Sequence, residues 1–121
     1  MPFPVSESLL QHTERAMGRK LPLALRNRLE RSNGGDVSAA GDVWTLVPVR
    51  DDTDRKRLAR TANDILSETR QARTWPNFPA GAFVIAQNGT GDLLVLLPVS
   101  DDIHYWDHET GLASVVAIDG A

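Results

Sequence analysis

Two short apolar runs, residues 83–86 and 93–97, flank the turn segment Asn88-Gly89-Thr90-Gly91. Each run has the length of a β-strand and is too short for a buried helix. Glycine and asparagine readily adopt the positive φ angles that a tight reversal needs. The pattern predicts a β-hairpin over residues 83–97.

The second of these runs, residues 93–97, is apolar at every position. A strand of this kind has both faces covered, so we expect it in the middle of a sheet with helices packed on that sheet. The helices must come from the segments before the hairpin.

A first helix is expected to end at Gly18. Ser8 and Gln11 have the spacing of a capping box, in which each side chain bonds a free backbone N–H of the other residue. The apolar or weakly polar positions that follow recur near helical spacing: Leu9, Leu10, Thr13, Ala16 and Met17.

A second helix is expected to open at Leu21-Pro22, because proline is tolerated in the first turn, where its missing N–H costs nothing. Residues 33–35, Asn-Gly-Gly, end it. One apolar stripe, opposite Arg26, Arg28 and Glu30, indicates the buried face: Leu21, Leu25 and Leu29.

Residues 36–42 form a polar segment that we expect to be a loop. Residues 43–49, rich in β-branched side chains, predict the first strand. Pro48 makes this strand an edge strand or ends it early, because proline cannot donate to a sheet ladder.

Residues 53–73 predict one long helix, preceded by aspartates at the positive end of its dipole and with Arg70 and Arg73 near the negative end. Prolines and a glycine in residues 75–81 cannot continue it. Its apolar stripe comprises Leu58, Ala62, Ile65, Leu66 and Thr69.

After the hairpin, residues 103–108 predict a strand, residues 109–111 a turn and residues 112–118 a last strand. The second half of the chain therefore reads as an antiparallel meander. With the helices, the predicted fold is α+β, with N-terminal helices and one long central helix packed on a sheet.

Composition narrows the function classes. The 121 residues, 1–121, are expected to form a single domain, and the absence of cysteine excludes disulfides, zinc thiolates and a thiol nucleophile. The net charge of −3 favours a basic partner over nucleic acid. With neither a basic, apolar leader nor a membrane-spanning run, we expect a soluble cytoplasmic protein without membrane contact.

The chain resembles the SUKH superfamily, which includes fungal cell-wall-assembly regulators and many bacterial immunity proteins. Four pieces in the family's order carry the resemblance: the Leu21-Pro22 helix running into residues 33–35, the Trp44 strand with Pro48, the Gly89-Thr90-Gly91-Asp92 hairpin, and residues 103–111 with Tyr105-Trp106-Asp107-His108-Glu109. Together they span roughly residues 21–111.

The resemblance implies an α+β fold with a mixed, mostly antiparallel sheet. It also implies binding without catalysis, since bacterial members are thought to neutralise a toxin, frequently a nuclease, encoded beside them. No catalytic residues or cofactor come with the family. The chain departs from it at Leu25, where an aromatic is common, and lacks the C-terminal amphipathic helix of many members. We therefore expect an open apolar sheet face, which tends to be a contact surface.

His104, Asp107, His108 and Glu109 have the composition of a metal site or an acid–base pair. Two histidines at i and i+4 could share a metal on a helix. On the predicted strand they lie about 13 Å apart, too far for one ion, and neighbouring side chains diverge. We therefore expect surface polar residues, with a small metal-dependent hydrolase as an alternative.

Two further patterns have ordinary structural explanations. The Asn88 to Asp92 segment could cradle a phosphate, but no helix follows it and no Gly-Lys-Ser/Thr ending is present, so a structural turn is expected. Arg55-Lys56-Arg57 with Arg60 could meet phosphates, but it lacks interleaved aromatics and follows three aspartates, so a solvated helix face is expected.

The sequence thus predicts a non-catalytic protein that binds a cognate toxin or other protein, with a scaffold or regulatory module as the alternative. Trp44 and Trp106 are expected in the core. Candidate partner-binding residues are Trp75, as a loop anchor, and carboxylates that would pair with a basic cleft: Asp51, Asp52, Asp54, Asp101, Asp102, Asp107 and Glu109.

Overall fold

A computed structural model describes residues 2–119. Among them, four helices and six strands follow one another in this order: α1 (Glu7–Met17), α2 (Leu23–Arg31), β1 (Asp36–Ala39), β2 (Asp42–Leu46), α3 (Arg55–Arg60), α4 (Ile65–Ala72), β3 (Phe83–Gln87), β4 (Leu93–Leu96), β5 (Ile103–Trp106) and β6 (Ala113–Val116). None of the helices in this range is long and apolar enough to cross a membrane.

The six strands form one sheet in chain order, and every strand pair in residues 2–119 is antiparallel. The predicted hairpin is confirmed, with Phe83 opposite Leu96 and Gln87 opposite Leu93. All four residues of β4 are buried, so its predicted central position is also confirmed. The predicted α+β fold class is confirmed, and the sheet of the described residues is antiparallel throughout.

The sheet curls strongly around one face. Trp44 on β2 and Tyr105 on β5 share this face with two strands between them, which in a flat sheet would separate them by roughly 14 Å. Their ring centroids are only 5.5 Å apart, in an edge-to-face contact. Ser38 of β1 and Asp119 exchange two backbone hydrogen bonds of 2.8 Å, which join the two ends of the curled sheet.

The predicted helix over residues 53–73 is wrong in one respect, because the structure divides it into α3 and α4. Asp64 caps α4 by accepting from the Ser67 N–H at 3.0 Å, and aspartate favours this position over a helix interior. The Thr61 hydroxyl accepts from the Asp51 N–H at 2.9 Å, which holds the break. The described residues of α3 are all partly or fully exposed.

The first two helices differ from the prediction in detail. Ser6, rather than Ser8, caps α1 by accepting from the Leu9 N–H at 3.3 Å, and Gly18 ends the helix in the left-handed region. The stripe of Leu21, Leu25 and Leu29 is buried as predicted. Arg28, placed on the exposed side, is in fact 8% exposed and donates to the Ser32 carbonyl.

Residues 36–39 were expected in a loop, but they form edge strand β1. Val37 and Ala39 face the core, while Asp36 and Ser38 face solvent. The prediction that Pro48 ends the next strand early is confirmed, because β2 stops at Leu46. The last two strands are both shorter than predicted, since residues 107, 108, 112, 117 and 118 lie outside β5 and β6.

Candidate partner-binding surface

Three turns meet at one end of the sheet, because alternate connections of an antiparallel meander lie at the same edge. We call this surface the turn end; it comprises residues 40–42, 88–92 and 107–112. The Asn88 side-chain N–H donates to Asp42 Oδ2 at 3.0 Å, so the first two turns are tied together. The third turn is tied through Asp92.

Asp92 is the acceptor that joins β4 to the β5–β6 turn. Its carboxylate accepts from the Tyr105 hydroxyl and from the His108 backbone N–H at 3.1 Å. His108 Nδ1 lies 2.6 Å from Asp92 Oδ1, and since an ionised carboxylate can only accept, this nitrogen carries the proton. The side chain of Asp92 is 16% exposed, so these bonds are partly shielded from water.

These contacts shift three pKa values. Burial acts to raise the pKa of Asp92, but hydrogen bonds from Tyr105 and His108 outweigh it, and the pKa is lowered. The bond to Asp92 raises the pKa of Tyr105 to about 12. The same carboxylate raises the pKa of His108, against a smaller opposing effect of burial. An ionised Asp92 and a protonated His108 therefore support each other.

Asp107 completes a small cluster with these groups. Its Oδ1 accepts from the turn N–H groups of Glu109 at 2.9 Å and Thr110 at 3.4 Å. One ligand atom from each of Asp92, Asp107 and His108 lies within 4.8 Å of the others, a spacing that could hold a metal ion. Hydrogen bonds within the protein already engage all three side chains.

His104 does not join the cluster. Its Nδ1 lies 3.3 Å from the carbonyl of Asp102, just before β5, and the length of that strand separates it from the turn end. The two histidines of the metal hypothesis are therefore engaged by different neighbours.

Beside the cluster lies a groove of about 380 Å³, lined by Trp75, Pro76, Gly91, Trp106 and His108. We call it the tryptophan groove. Trp75 stacks over Trp106 with ring centroids 6.2 Å apart and an interplanar angle of 27°. Trp75 is 40% exposed, whereas Trp106 is fully buried and also meets Phe78 edge to face. The groove therefore has an aromatic wall in which the Trp75 ring is partly open to solvent and the Trp106 ring is covered.

The indole nitrogen of Trp106 has no hydrogen-bond acceptor among residues 2–119, although the atom is buried. Trp44 shows the usual arrangement, since its Nε1–H donates to the Ala39 carbonyl at 2.9 Å. A buried donor without an acceptor is uncommon because it has lost its bond to water. Both side chains lie in the core, as predicted.

Two glycines let the walls of the groove come together. Gly91 has φ +101°, and a Cβ atom there would lie 3.2 Å from the His108 ring. Gly111 has φ +75°, and a Cβ atom there would lie 2.9 Å from the Cβ of Asn77. Both positions require glycine for their backbone conformation and for close contact. The loop of Trp75 is thereby fixed against the β5–β6 turn.

The family model of the SMI1 / KNR4 family (SUKH-1) matches residues 4–119, nearly the whole chain. The chain belongs to this family. No curated protein and no solved structure matches it significantly.

In this SUKH-1 member the eight predicted partner-binding residues fall into three places. Asp107 and Glu109 lie in the turn end, and Trp75 lies in the adjacent tryptophan groove. Asp51, Asp52 and Asp54 precede α3, on the connection between β2 and β3. Asp101 and Asp102 lie in the β4–β5 connection, at the opposite end of the sheet from the turn end.

The carboxylates outside the turn end differ in how far they are already used. Asp51 is 3% exposed and accepts from both the N–H and the hydroxyl of Thr53. Asp54 caps α3 by accepting from the Arg57 N–H at 2.8 Å. Asp101, whose side chain is 84% exposed, pairs with Arg19 at 3.0 Å, and Asp52 is exposed.

The sequence analysis did not single out Asp92, His108 and Trp106 as neighbours in one site. Asp92 appeared only as the end of a glycine turn. In the observed register Leu93 lies opposite Trp106, which places Asp92 beside Asp107 and His108. Pairing the two predicted strands in this register would have brought these residues together before the structure was known.

Proposed function

We propose that this protein is a non-catalytic immunity protein, which acts in the cytoplasm as a single domain and neutralises a cognate toxin by direct contact. Membership of the SUKH-1 family supports this proposal. The observation that carries it is the tryptophan groove, with the 40% exposed Trp75 beside the carboxylates of the turn end.

A half-exposed indole against a buried one is the kind of anchor that dominates protein interfaces. Tryptophan contributes a large contact area at low cost in conformational entropy, and such residues concentrate binding energy near the centre of an interface. Trp75 is held on Trp106 by stacking, so little ordering is required when a partner covers it.

The turn end also has the charge that a basic partner needs. Asp42, Asp92, Asp107 and Glu109 bring four carboxylates to the turns, with His108 as the neighbouring cation when it is protonated. Complementary charge raises the rate of encounter with a basic surface, such as the substrate cleft of a nuclease. Burial of such pairs in a complex slows dissociation.

Two of the titratable groups here, Asp92 and Tyr105, are poorly suited to acid–base chemistry. A general acid or base works best with a pKa near the working pH, whereas the pKa of Asp92 is lowered and that of Tyr105 is raised to about 12. The Asp92–His108 pair resembles part of a hydrolytic triad. The described residues offer His108 no hydroxyl in hydrogen-bond contact, so a protein nucleophile is not in place.

The test is growth of cells that produce this protein together with the toxin encoded beside its gene. We expect growth to be restored and the two proteins to co-purify. Trp75→Ala should weaken both effects at least tenfold, whereas Leu23→Ala, which removes another exposed apolar side chain on α2, should not. If growth is never restored and the proteins never co-purify, the proposal fails. A stable complex with a host protein instead would favour a scaffold or regulatory role.

A further inference from the structure

We infer that the open edge of β6 is a self-association surface, at which a second copy of this chain adds its own β6 in antiparallel orientation. The two sheets then continue into each other across a two-fold axis. This inference goes beyond the toxin proposal and does not depend on it, because it concerns the protein without any other partner.

β6 is the last strand of the sheet, and β5 is the strand beside it among residues 2–119. The seam between Ser38 and Asp119 leaves most of its other edge uncovered. In an antiparallel register that continues from that pair, residue 116 lies opposite residue 41, where β1 has already ended in a turn. Residues 113–116 therefore extend past β1.

The backbone of β6 presents regularly spaced bonding groups to this edge. The Asp107 N–H donates to the Leu112 carbonyl at 2.9 Å, so by alternation residues 114 and 116 also bond towards β5. Ala113 and Val115 then direct their N–H and C=O groups to the open edge. A row of this kind is a template for another strand.

The side chains of β6 lack the features that protect an exposed edge. Edge strands of soluble proteins usually carry charges, prolines or bulges that prevent pairing with other molecules. Residues 112–118 include no charged residue and no proline. The other edge strand, β1, has Asp36 facing solvent, and its Ser38 is already bonded at the seam. Of the two edge strands in residues 2–119, β6 is thus the unprotected one.

Exposed apolar side chains accompany the open edge. Val115 is 61% exposed, and Leu112, just before the strand, is 72% exposed. Tyr105 faces the interior of the curled sheet, so its neighbour Trp106 faces outward. Ala113, the cross-strand partner of Trp106, and Val115 share that outward face. A strand added at this edge would cover part of their apolar surface.

The composition of β6 selects a second copy as the occupant. In an antiparallel pair centred on Ser114, Ala113 of one copy lies opposite Val115 of the other, so both edge-facing residues of each copy are bonded. Residues 112–116 face only their uncharged counterparts in this register. An identical neutral strand therefore meets no like-charge repulsion, whereas a charged strand finds no complementary charge here.

The experiment measures the mass of the full chain by sedimentation velocity as a function of concentration. We expect a monomer–dimer equilibrium with a Kd on the order of 100 µM, because one added strand makes a small interface. Val115→Lys should weaken dimerisation at least about tenfold, because a charge at the edge blocks strand pairing. Val43→Lys is the matched control. Val43 is 58% exposed on β2, which has a neighbouring strand on each side, so the dimer should persist.

Two further variants test the geometry of the pair. Val115→Pro removes the N–H that points to the open edge, so it should keep the monomer folded and abolish the dimer. Because the chain contains no cysteine, Ser114→Cys places a single thiol at the two-fold axis, and oxidation should link two copies. Ser38→Cys, at an exposed serine on the other edge strand, should remain unlinked. Dispersed amide spectra verify that each variant is folded.

Three results would overturn the inference: a monomer at every concentration, a dimer that forms unchanged in both Val115 variants, or equal loss of the dimer in Val43→Lys. If the protein is a monomer by itself but loses its toxin complex in Val115→Pro, the edge binds a strand of the toxin rather than a second copy. Failure of the toxin proposal leaves the expected dimer unaffected, since the dimer is measured in the purified protein.

Discussion

Gly111 and Asn77 lie so close that a Cβ atom on the glycine would stand 2.9 Å from the Cβ of the asparagine. This contact joins the β5–β6 turn to the loop that carries Trp75. Gly111→Ala should therefore displace that loop and destabilise the protein. We expect a loss of about 1–3 kcal/mol from overpacking, beyond the strain of a left-handed alanine, in urea unfolding.

Gly89→Ala is the matched control for this prediction. Gly89 has φ +84°, close to the +75° of Gly111, but a Cβ atom there meets nothing within 4 Å. Gly89→Ala should therefore lose only the unfolding free energy that corresponds to backbone strain, about 1–2 kcal/mol. Equal losses in the two variants would mean that the Asn77 contact is not important for stability.

The Asp92–His108 pair predicts a pH-dependent stability. The pKa of His108 is raised in the folded protein, so its contribution is complete below the unfolded value of 6.5 and is lost as the pH rises through the folded pKa. The pKa of Asp92 is lowered, so its contribution is present above 3.8 and is lost as the pH falls through the folded pKa. The pair stabilises the fold between these limits.

His108→Gln tests this window. The difference in unfolding free energy between the unmodified protein and the variant should be larger at about pH 5.5 than at about pH 9, because the stabilisation is lost as the pH rises through the folded pKa of His108. Chemical denaturation at the two pH values measures it. A difference that stays constant, or grows at high pH, would show that the ion pair does not form.

Tyr105 is the only tyrosine in the sequence, so its ionisation can be followed directly by ultraviolet absorbance. Its phenolate should appear only near pH 12 while the fold persists, because Asp92 holds the phenol proton. In Asp92→Asn the pKa should fall towards the ordinary value of 10.0. Ionisation of Tyr105 near pH 10 in the unmodified protein would contradict the bond.

Tyr105→Phe isolates the energy of the same hydroxyl. The phenylalanine ring keeps the edge-to-face contact with Trp44, so the loss should come from the hydrogen bond to the carboxylate. We expect a loss of about 1.5–3 kcal/mol, the range for hydrogen bonds to charged groups. Unchanged stability in urea unfolding would mean that water replaces the hydroxyl at no cost.

Arg19 and Asp101 form an ion pair in which the two partners contribute unequally. Arg19 also donates to the carbonyls of Leu97 and Ser100, both at 2.9 Å, and so anchors the β4–β5 connection. Arg19→Ala should cost about 2 kcal/mol. Asp101→Ala, at an 84% exposed carboxylate, should cost less than about 1 kcal/mol. Equal costs in thermal unfolding would contradict this division.

The central hairpin could be predicted because its signals are local: two buried runs and a turn rich in glycine. The break between α3 and α4 was missed because the apolar stripe passes from Leu58 through Ala62 to Ile65 without a change of phase. The signal was Asp64, whose side chain favours a cap over a helix interior. Strand β1 was missed because it is four residues long and its outward positions are Asp36 and Ser38.

The candidate site was only partly predictable for a different reason. Trp75 and Asp107 were each recognised as candidate contact residues, but they are more than thirty positions apart and come together through the sheet register. The contact of the Trp75 loop with the last turn depends on Gly111, an interaction that no local pattern encodes. Grouping residues into a site required knowledge of tertiary structure.

The two hydrogen bonds between Ser38 and Asp119 form a narrow seam between the two ends of the curled sheet. The pairing of β3 with β4 extends from Phe83 and Leu96 to Gln87 and Leu93, whereas among residues 2–119 this seam has one residue pair, so it should open and reclose without unfolding of the core. The amide protons of Ser38 and Asp119 should then exchange with solvent long before those of β3 and β4. The curled sheet would then behave as a barrel that is weakly closed at one seam, and it could widen locally at that seam when the protein binds another molecule.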